Sequence, residues 1–403
     1  MTRCINDSST EVSKLYFLPA KAGDCFLLRI GFKCILIDAG YKSTFCDFLK
    51  PLLLNLSREG CVISLMVVTH MDQDHIEGAI EFLKENGDYN NPAIIKVEEI
   101  WYNGFFNTLF PMLKDKYSEN ISQECIQEYR EVIRNLKKLS HGEDGPISAK
   151  LGASFEQTCY ANHYALNRSC QDGKAVAGNQ LFIGEIIINI LFPNETILQK
   201  LGVFLDREMI RMFGNDYRFT KNGFFAEFFE LFLEINGADN PGETKIEGIA
   251  ASPDDSIEEW INTSSMARMN LVNQASIVIE VIYKGNKYLF TGDSEGSDWI
   301  KQASPYYNLL KFSHHGTSKP NMALLDNIKA DKVLISSDGL HNRPEKDFLA
   351  RCLQNHYEEM YFNYRIPEAD TLLSVQKKYG CKCFFEVNEL DLTAHTLGEK
   401  TVV

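Results

Sequence analysis

The stretch VVTHMDQDHIEG, residues 67–78, ends an apolar run, CVISLMVVTH (61–70), and opens a run of helical period, IEGAIEFLKE (76–85). The order strand, loop, helix puts residues 70–75 at the C-terminal mouth of a strand. Sheet-based proteins often place their chemistry there. His70, Asp72, Asp74 and His75 are four potential ligands within six residues of that loop. His70 and Asp72 alternate onto one side of an extended loop, while Asp74 and His75 turn to the other. Imidazole beside carboxylate suits Zn²⁺, Mn²⁺ or Fe²⁺. A solvated acidic loop that caps a helix at Ile76 through Asp74 needs only one of these four groups.

Upstream, LYFLPA (15–20), DCFLLRI (24–30) and KCILIDAG (33–40) are short apolar runs broken by Gly23 and by a Gly31–Phe32 turn, which predicts three strands. An amphipathic helix follows over about 44–56, and IIKVEEIWYNG (94–104) reads as a further strand. From about 105 to 180 the chain turns polar and helical, with SQECIQEYREVIRNLKKL (122–139) its clearest helix. EIIINILFP (185–193) returns to strand, and a second helical insertion spans about 195–270. NQASIVIEVIYKGNKYLFTGD (273–293) is a hairpin around Lys284-Gly285-Asn286. LLKFSHHG (309–316) is a strand ending in two histidines. Helix 321–328, strand 332–338, helix 345–354 and strands near 358–363 and 381–387 complete the chain. Strands alternating with helices, in two β-rich halves, indicate a layered α/β protein.

Further candidate ligands obey the same strand-end rule. Asp293 lies just past one strand, and His314 and His315 just past another. Three strand ends carrying His and Asp make a shared dinuclear site the economical reading.

Composition narrows the function classes. The 403 residues are 44% hydrophobic and 24% charged, as in a globular protein, which excludes a disordered, collagenous or coiled-coil chain. No apolar run reaches the length of a membrane span, and the polar N-terminus has no secretory h-region. The net charge of −14 repels a phosphate backbone, so non-specific coating of DNA is disfavoured, though a metal-bearing cleft is not. The 11 scattered cysteines read as reduced thiols, so a cytoplasmic location is expected. Cys381 and Cys383 form a C-x-C without a second pair, which argues against a zinc ribbon.

On AGDCFLLRI (22–30), ILIDAG (35–40), THMDQDHIEG (69–78), NQASIVIEV (273–281), FTGD (290–293) and KFSHHGTS (311–318), the chain resembles metallo-β-lactamase-fold hydrolases, specifically the ComEC/Rec2-type branch. The weaker block ISSDGLHNRPE (335–345) extends the likeness. The matching blocks span 15–104 and 181–365 and leave the two insertions unmatched. The resemblance implies a four-layer αββα sandwich with two helical insertions, forming a single domain over 1–403. It implies two divalent ions, zinc or manganese, at the edge between the sheets. His70 and Asp72 would hold one, Asp74 and His75 the other, and Asp293 would bridge both. One of His314 and His315 would complete the second site, and Asp38 would support the ligands through hydrogen bonds.

Two departures accompany the resemblance. Asn273 stands near a place where many relatives carry a histidine, leaving the first site short of a ligand. Arg343-Pro344 replaces a His-Pro, with His341 two residues earlier as a candidate substrate contact or proton donor. ComEC-type proteins also carry transmembrane segments, which this sequence lacks. The expected activity is metal-dependent hydrolysis by a hydroxide held between two cations, with Asp74 or Asp293 orienting it. The resemblance favours a phosphodiesterase or nuclease, and the acidic balance favours a nucleotide or a short end. Lys319 and Arg343 are candidate phosphate contacts.

Two rivals stand beside this reading. Gly292-Asp293-Ser294-Glu295-Gly296 satisfies G-x-S-x-G, which would make Ser294 the nucleophile of a serine hydrolase. Alternatively, the fold persists as a weakly active or inactive binding module in a multi-protein system, such as an anti-phage one, with the helical insertions as partner surfaces.

Overall fold

The computed structural model describes residues 12–104, 107–108, 155–203, 257–261, 269–355 and 357–392. The predicted helix at 122–139 and most of both insertions lie outside these residues.

Two sheets form the centre. The first contains β1 (Ser13–Phe17), β2 (Phe26–Ile30), β3 (Lys33–Ile37), β4 (Val62–Val67), β5 (Ile100–Trp101) and β14 (Glu389–Asp391), in the order β14-β1-β2-β3-β4-β5. The second contains β6 (Gln180–Ile183), β7 (Ile186–Phe192), β8 (Val278–Tyr283), β9 (Asn286–Phe290), β10 (Tyr306–Lys311), β11 (Lys329–Ile335), β12 (Glu359–Phe362) and β13 (Lys382–Phe384), in the order β13-β12-β11-β10-β9-β8-β7-β6. The neighbours β3 and β4 are parallel, as are β9, β10 and β11. Their C-terminal ends therefore gather on one side of each sheet.

Alternation along each strand divides the core in two. In β3, Ile35 and Ile37 face an inner core shared with Ile188, Ile279, Val281 and Phe290 of the second sheet. The Phe26 and Phe290 rings meet across that interface, 5.6 Å between centroids. Cys34 and Leu36 turn outward beneath Phe45, Leu49, Leu53 and Phe82. On the opposite side, helices Ser318–Asn327, Lys346–Gln354 and Ala369–Tyr379 bury Leu324, Phe348, Leu353 and Leu372. The result is the expected αββα sandwich.

Local departures have local causes. The helix predicted over 44–56 spans Lys42–Arg58 through a π-helical turn at Phe45–Leu49. Only Ile100–Trp101 of the strand predicted over 94–104 joins the ladder by more than an isolated bridge. The backbone of Ile94 and Ile95 bonds instead to the buried Asn86 amide, at 2.9–3.0 Å. In the first insertion, Phe155–Ala161 is helical, but residues 162–179 form an irregular loop with one short turn. Asn103 and Asn167 pin that loop through side-chain bonds to Ala175, Tyr102 and Gly173. The helix Ala369–Tyr379 and strands β6 and β14 were not anticipated. Among the described residues, no helix is long and apolar enough to cross a membrane.

Candidate metal centre

The site is built on strand ends. β3 ends at Ile37 and the chain turns at Asp38, whose backbone is left-handed with φ of 53°. Fully buried, Asp38 accepts from the Thr69 N–H at 2.7 Å and from the Thr69 hydroxyl at 2.8 Å. It also meets Nδ1 of His75 at 2.8 Å. The loop after β4 is thus tied to the end of β3, and three protonation choices follow. A carboxylate only accepts, so His75 donates from Nδ1 and turns Nε2 toward the centre. The Thr69 hydroxyl spends its proton on Asp38 and so accepts from Nδ1 of His70, 3.0 Å away. His70 therefore also presents Nε2.

The second sheet completes the arrangement. Asp293 follows β9, and its N–H donates to the Ser276 hydroxyl at 3.2 Å. His314 and His315 follow β10, both in left-handed backbone, with φ of 47° and 55°. Consecutive left-handed residues splay the two imidazoles onto different partners. Nδ1 of His315 meets the Ser336 carbonyl at 3.0 Å, which fixes its proton there and leaves Nε2 for the centre. That Nε2 lies 3.3 Å from Oδ2 of Asp293 and 3.4 Å from Oδ2 of Asp74. Nε2 of His75 lies 3.4 Å from the same Asp293 oxygen and 3.8 Å from the Asp74 oxygen.

The donors cluster as metal ligands do. The ligand atoms of His70, His75 and Asp293 lie within 4.8 Å of one another, as do those of Asp74, His75 and His315. The Nε2 atoms of His70, His75 and His315 are buried with no hydrogen-bond partner. Three unpartnered imidazole nitrogens around carboxylates would suit a divalent cation, which displaces any protons they carry. Asp24 also forms such groups, with Asp38 and His75 and with Asp293 and His315. Its carboxylate, however, pairs with the ammonium group of the fully buried Lys311, so that side already holds a cation.

Charge is unevenly placed. Burial pulls His75 and His315 down, but Asp293 and Asp74 outweigh it, leaving His75 well above the usual imidazole range and His315 pushed up to about 9. Burial raises Asp74 and Asp293 as well, but these imidazoles hold both below the usual carboxylate range. Burial, reinforced by the charge of His75, lowers His70 to about 4. Burial and the adjacent Asp74 push Asp72 up to about 7. Burial lowers His314 to about 3, with Arg343 adding to the effect against the pull of Asp293.

Residues 18–135 match the model of the Metallo-beta-lactamase superfamily. No curated protein matches the chain. Among solved structures, a metallo-beta-lactamase fold protein, YhfI from Bacillus subtilis, is 8% identical, with TM-score 0.36, covering 94% of this chain and 99% of its own. CmlA beta-hydroxylase, as a mutant, is 10% identical, with TM-score 0.35, covering 95% of this chain and 54% of its own. The two-sheet αββα sandwich is consistent with the metallo-β-lactamase fold. The match reaches the superfamily and resolves no branch within it.

Within this sandwich, His70, Asp74, His75, Asp293 and His315 converge, with Asp38 behind them. Asp72 sits beside them, its Oδ2 3.7 Å from Nε2 of His70, at the N-cap position of the helix Gln73–Asn86. His314 stands at the margin. Its Nε2 is 3.9 Å from Asp293 and 3.3 Å from the Asn273 amide nitrogen. Arg343 is half-buried, whereas Lys319 and His341 are exposed, and no described hydrogen bond or ion pair joins either to the cluster. The Ser294 hydroxyl is buried, donates to the Thr291 carbonyl at 2.8 Å and accepts from the Trp299 indole at 2.9 Å. It is a structural hydroxyl, with no described histidine bonded to it, and the nucleophile-elbow reading fails. Sequence reasoning missed Asp24, Thr69, Ser276 and Lys311. Lys311 had a signal: a lysine inside the apolar strand LLKF has to find a buried partner.

Proposed function

We propose that the chain is a metal-dependent hydrolase acting on phosphodiester bonds in a nucleotide or a short nucleic-acid end. The observation that carries the metal reading is the convergence of His75 and His315 on Oδ2 of Asp293, with His70 alongside and all three Nε2 atoms unpartnered. Asp74, His75 and His315 would hold one ion, zinc or manganese. His70 and Asp72 would hold a second, with Asp293 shared. When bound, such ions act as Lewis acids and make water a competent nucleophile near neutral pH.

The chain's own residues supply the rest. Asp38 and Thr69 lock the imidazoles as Nε2 donors. Asp74, half-buried within the cluster, would orient a water at its ion. Arg343, whose charge reaches His314, offers a fork for a phosphoryl oxygen. The net charge of −14 favours a small anion held locally over long duplex DNA. The nine described cysteines are free, in keeping with a reducing, cytoplasmic setting.

A second reading has one observation in its favour. Asn273 and His314 face each other where a complete first site would need another ligand, which suits a weakly active or inactive binding module. Elemental analysis joined to a phosphodiester panel with Mn²⁺ or Zn²⁺ separates the two. About two equivalents of metal per chain are expected, with turnover lost in His70→Ala and Asp74→Ala. Metal uptake without turnover of any diester would sink the hydrolase proposal.

A further inference from the structure

Lys311 closes β10 and is fully buried. Its ammonium group pairs with Asp24, donates to the Gly292 carbonyl at 2.9 Å and lies 3.6 Å from Oδ1 of Asp293. All three imidazole contacts of Asp293, from His75, His314 and His315, are to its other oxygen, Oδ2. The two oxygens of one carboxylate are thus assigned to two kinds of cation. Oδ1 faces a fully buried lysine, and Oδ2 faces the imidazoles of the cluster. Asp24 is held on the same lysine, and its backbone N–H donates to the Asp74 carbonyl at 3.3 Å. Lys311 therefore joins the loop before β2 to the ends of β9 and β10.

We propose that Lys311 is a positioning residue, a resident cation that holds Asp24 and Asp293 in place and confines Asp293 to bridging metals through Oδ2 alone. The inference rests on the metal reading above. In the metal-free protein Lys311 compensates two buried carboxylates, so the centre stands assembled before metal arrives. In the loaded protein it prevents Asp293 from closing both oxygens on one ion, which keeps the second site open. A buried carboxylate deprived of its partner is strongly destabilising, whereas removal of both charges is far better tolerated.

The test uses the full chain with Lys311→Met, Asp24→Asn/Lys311→Met and Lys311→Arg. Melting is followed in chelator, and Mn²⁺ and Zn²⁺ stoichiometry by equilibrium dialysis with elemental analysis. Lys311→Met should lower the metal-free melting temperature by at least about 3 °C. The double variant should recover at least half of that loss, and Lys311→Arg should fall between wild type and Lys311→Met. Metal bound should drop from two toward one per chain in Lys311→Met. If Lys311→Met does not fold, recovery of folding in the double variant supports the proposal and its absence overturns it. A metal-free Lys311→Met chain that melts with wild type, or that still binds two metals, also overturns it. Wild type that takes up no metal refutes the hydrolase reading instead, and the chelator arm still reports on the lysine.

Discussion

Replacing Asp293 by alanine removes the oxygen on which His75 and His315 converge. Asp293→Ala and Asp74→Ala should each abolish hydrolysis and lower bound metal while leaving the circular dichroism spectrum native. Full turnover in either would contradict the assignment. Ser294→Ala separates structure from chemistry. It leaves the Trp299 indole without its acceptor, so stability should fall by about 1–3 kcal/mol in urea titration. Hydrolysis per folded molecule should stay within about twofold, and a hundredfold loss would restore the serine nucleophile. The imidazoles also set a pH dependence. In the metal-free protein His75 and His315 are raised, the latter to about 9, while an unfolded histidine titrates near about 6.5. Above pH ~7 the native state therefore holds protons that the unfolded chain has released, and its stability falls as pH rises toward about 9. Melting in chelator should decline from pH 7 to 9. Melting with metal should not, because the ion replaces those protons.

The loops that carry these residues are closed by glycines inside the ligand motifs. A Cβ on Gly78 would meet the Ala39 carbonyl oxygen at 2.1 Å, and one on Gly23 would meet the Asp74 carbonyl oxygen at 1.9 Å. Helix Gln73–Asn86 can approach the turn after β3 only without a side chain there, and the Gly78 N–H donates to the Gly40 carbonyl at 2.7 Å. Gly78→Ala should cost about 3 kcal/mol and shift His75 off Asp38, seen as lower metal content in the folded fraction. Unchanged stability and metal content would show that the close approach is dispensable. Elements of this kind were legible in the sequence. The strand-loop-helix order around His70–His75, the hairpin at Lys284–Asn286 and the strand before His314 all declare themselves by period and turn chemistry. Partners distant in sequence were not legible. Asn86 diverts the backbone of Ile94 and Ile95 from a ladder that their side chains favour. Asp24 stood only as the first residue of the predicted strand DCFLLRI (24–30), because its partner Lys311 lies far along the chain. His314 and His315 were indistinguishable as letters. Their consecutive left-handed backbone and the Ser336 carbonyl give His315 the contact with Asp74 and Asp293.

At the scale of the molecule, the centre lies on the seam between the two sheets. Asp38, His70, Asp74 and His75 come from the edge of one sheet, and Asp293 and His315 from the edge of the other. The seam is already bonded by backbone and side chain. The Ile277 N–H donates to the Thr69 carbonyl at 2.9 Å, and the Ser336 hydroxyl to the Gly23 carbonyl at 2.7 Å. A cation held by His75, Asp74 and His315 would add a staple across this seam, so its loss should loosen both sheet edges together. A ligand at a hundredfold excess over its dissociation constant stabilises the native state by about 2.7 kcal/mol, which for a chain of 403 residues corresponds to about 3 °C in melting temperature. Chelation should lower the melting temperature by that amount, and added Mn²⁺ or Zn²⁺ should restore it. Hydrogen exchange gives the spatial readout. On chelation, amides at 68–76 and at 291–316 should lose protection in step, while the strand interiors of β2 and β8 hold theirs. Loosening confined to one of the two segments would mean that the cation is bound by a single sheet and does not join them.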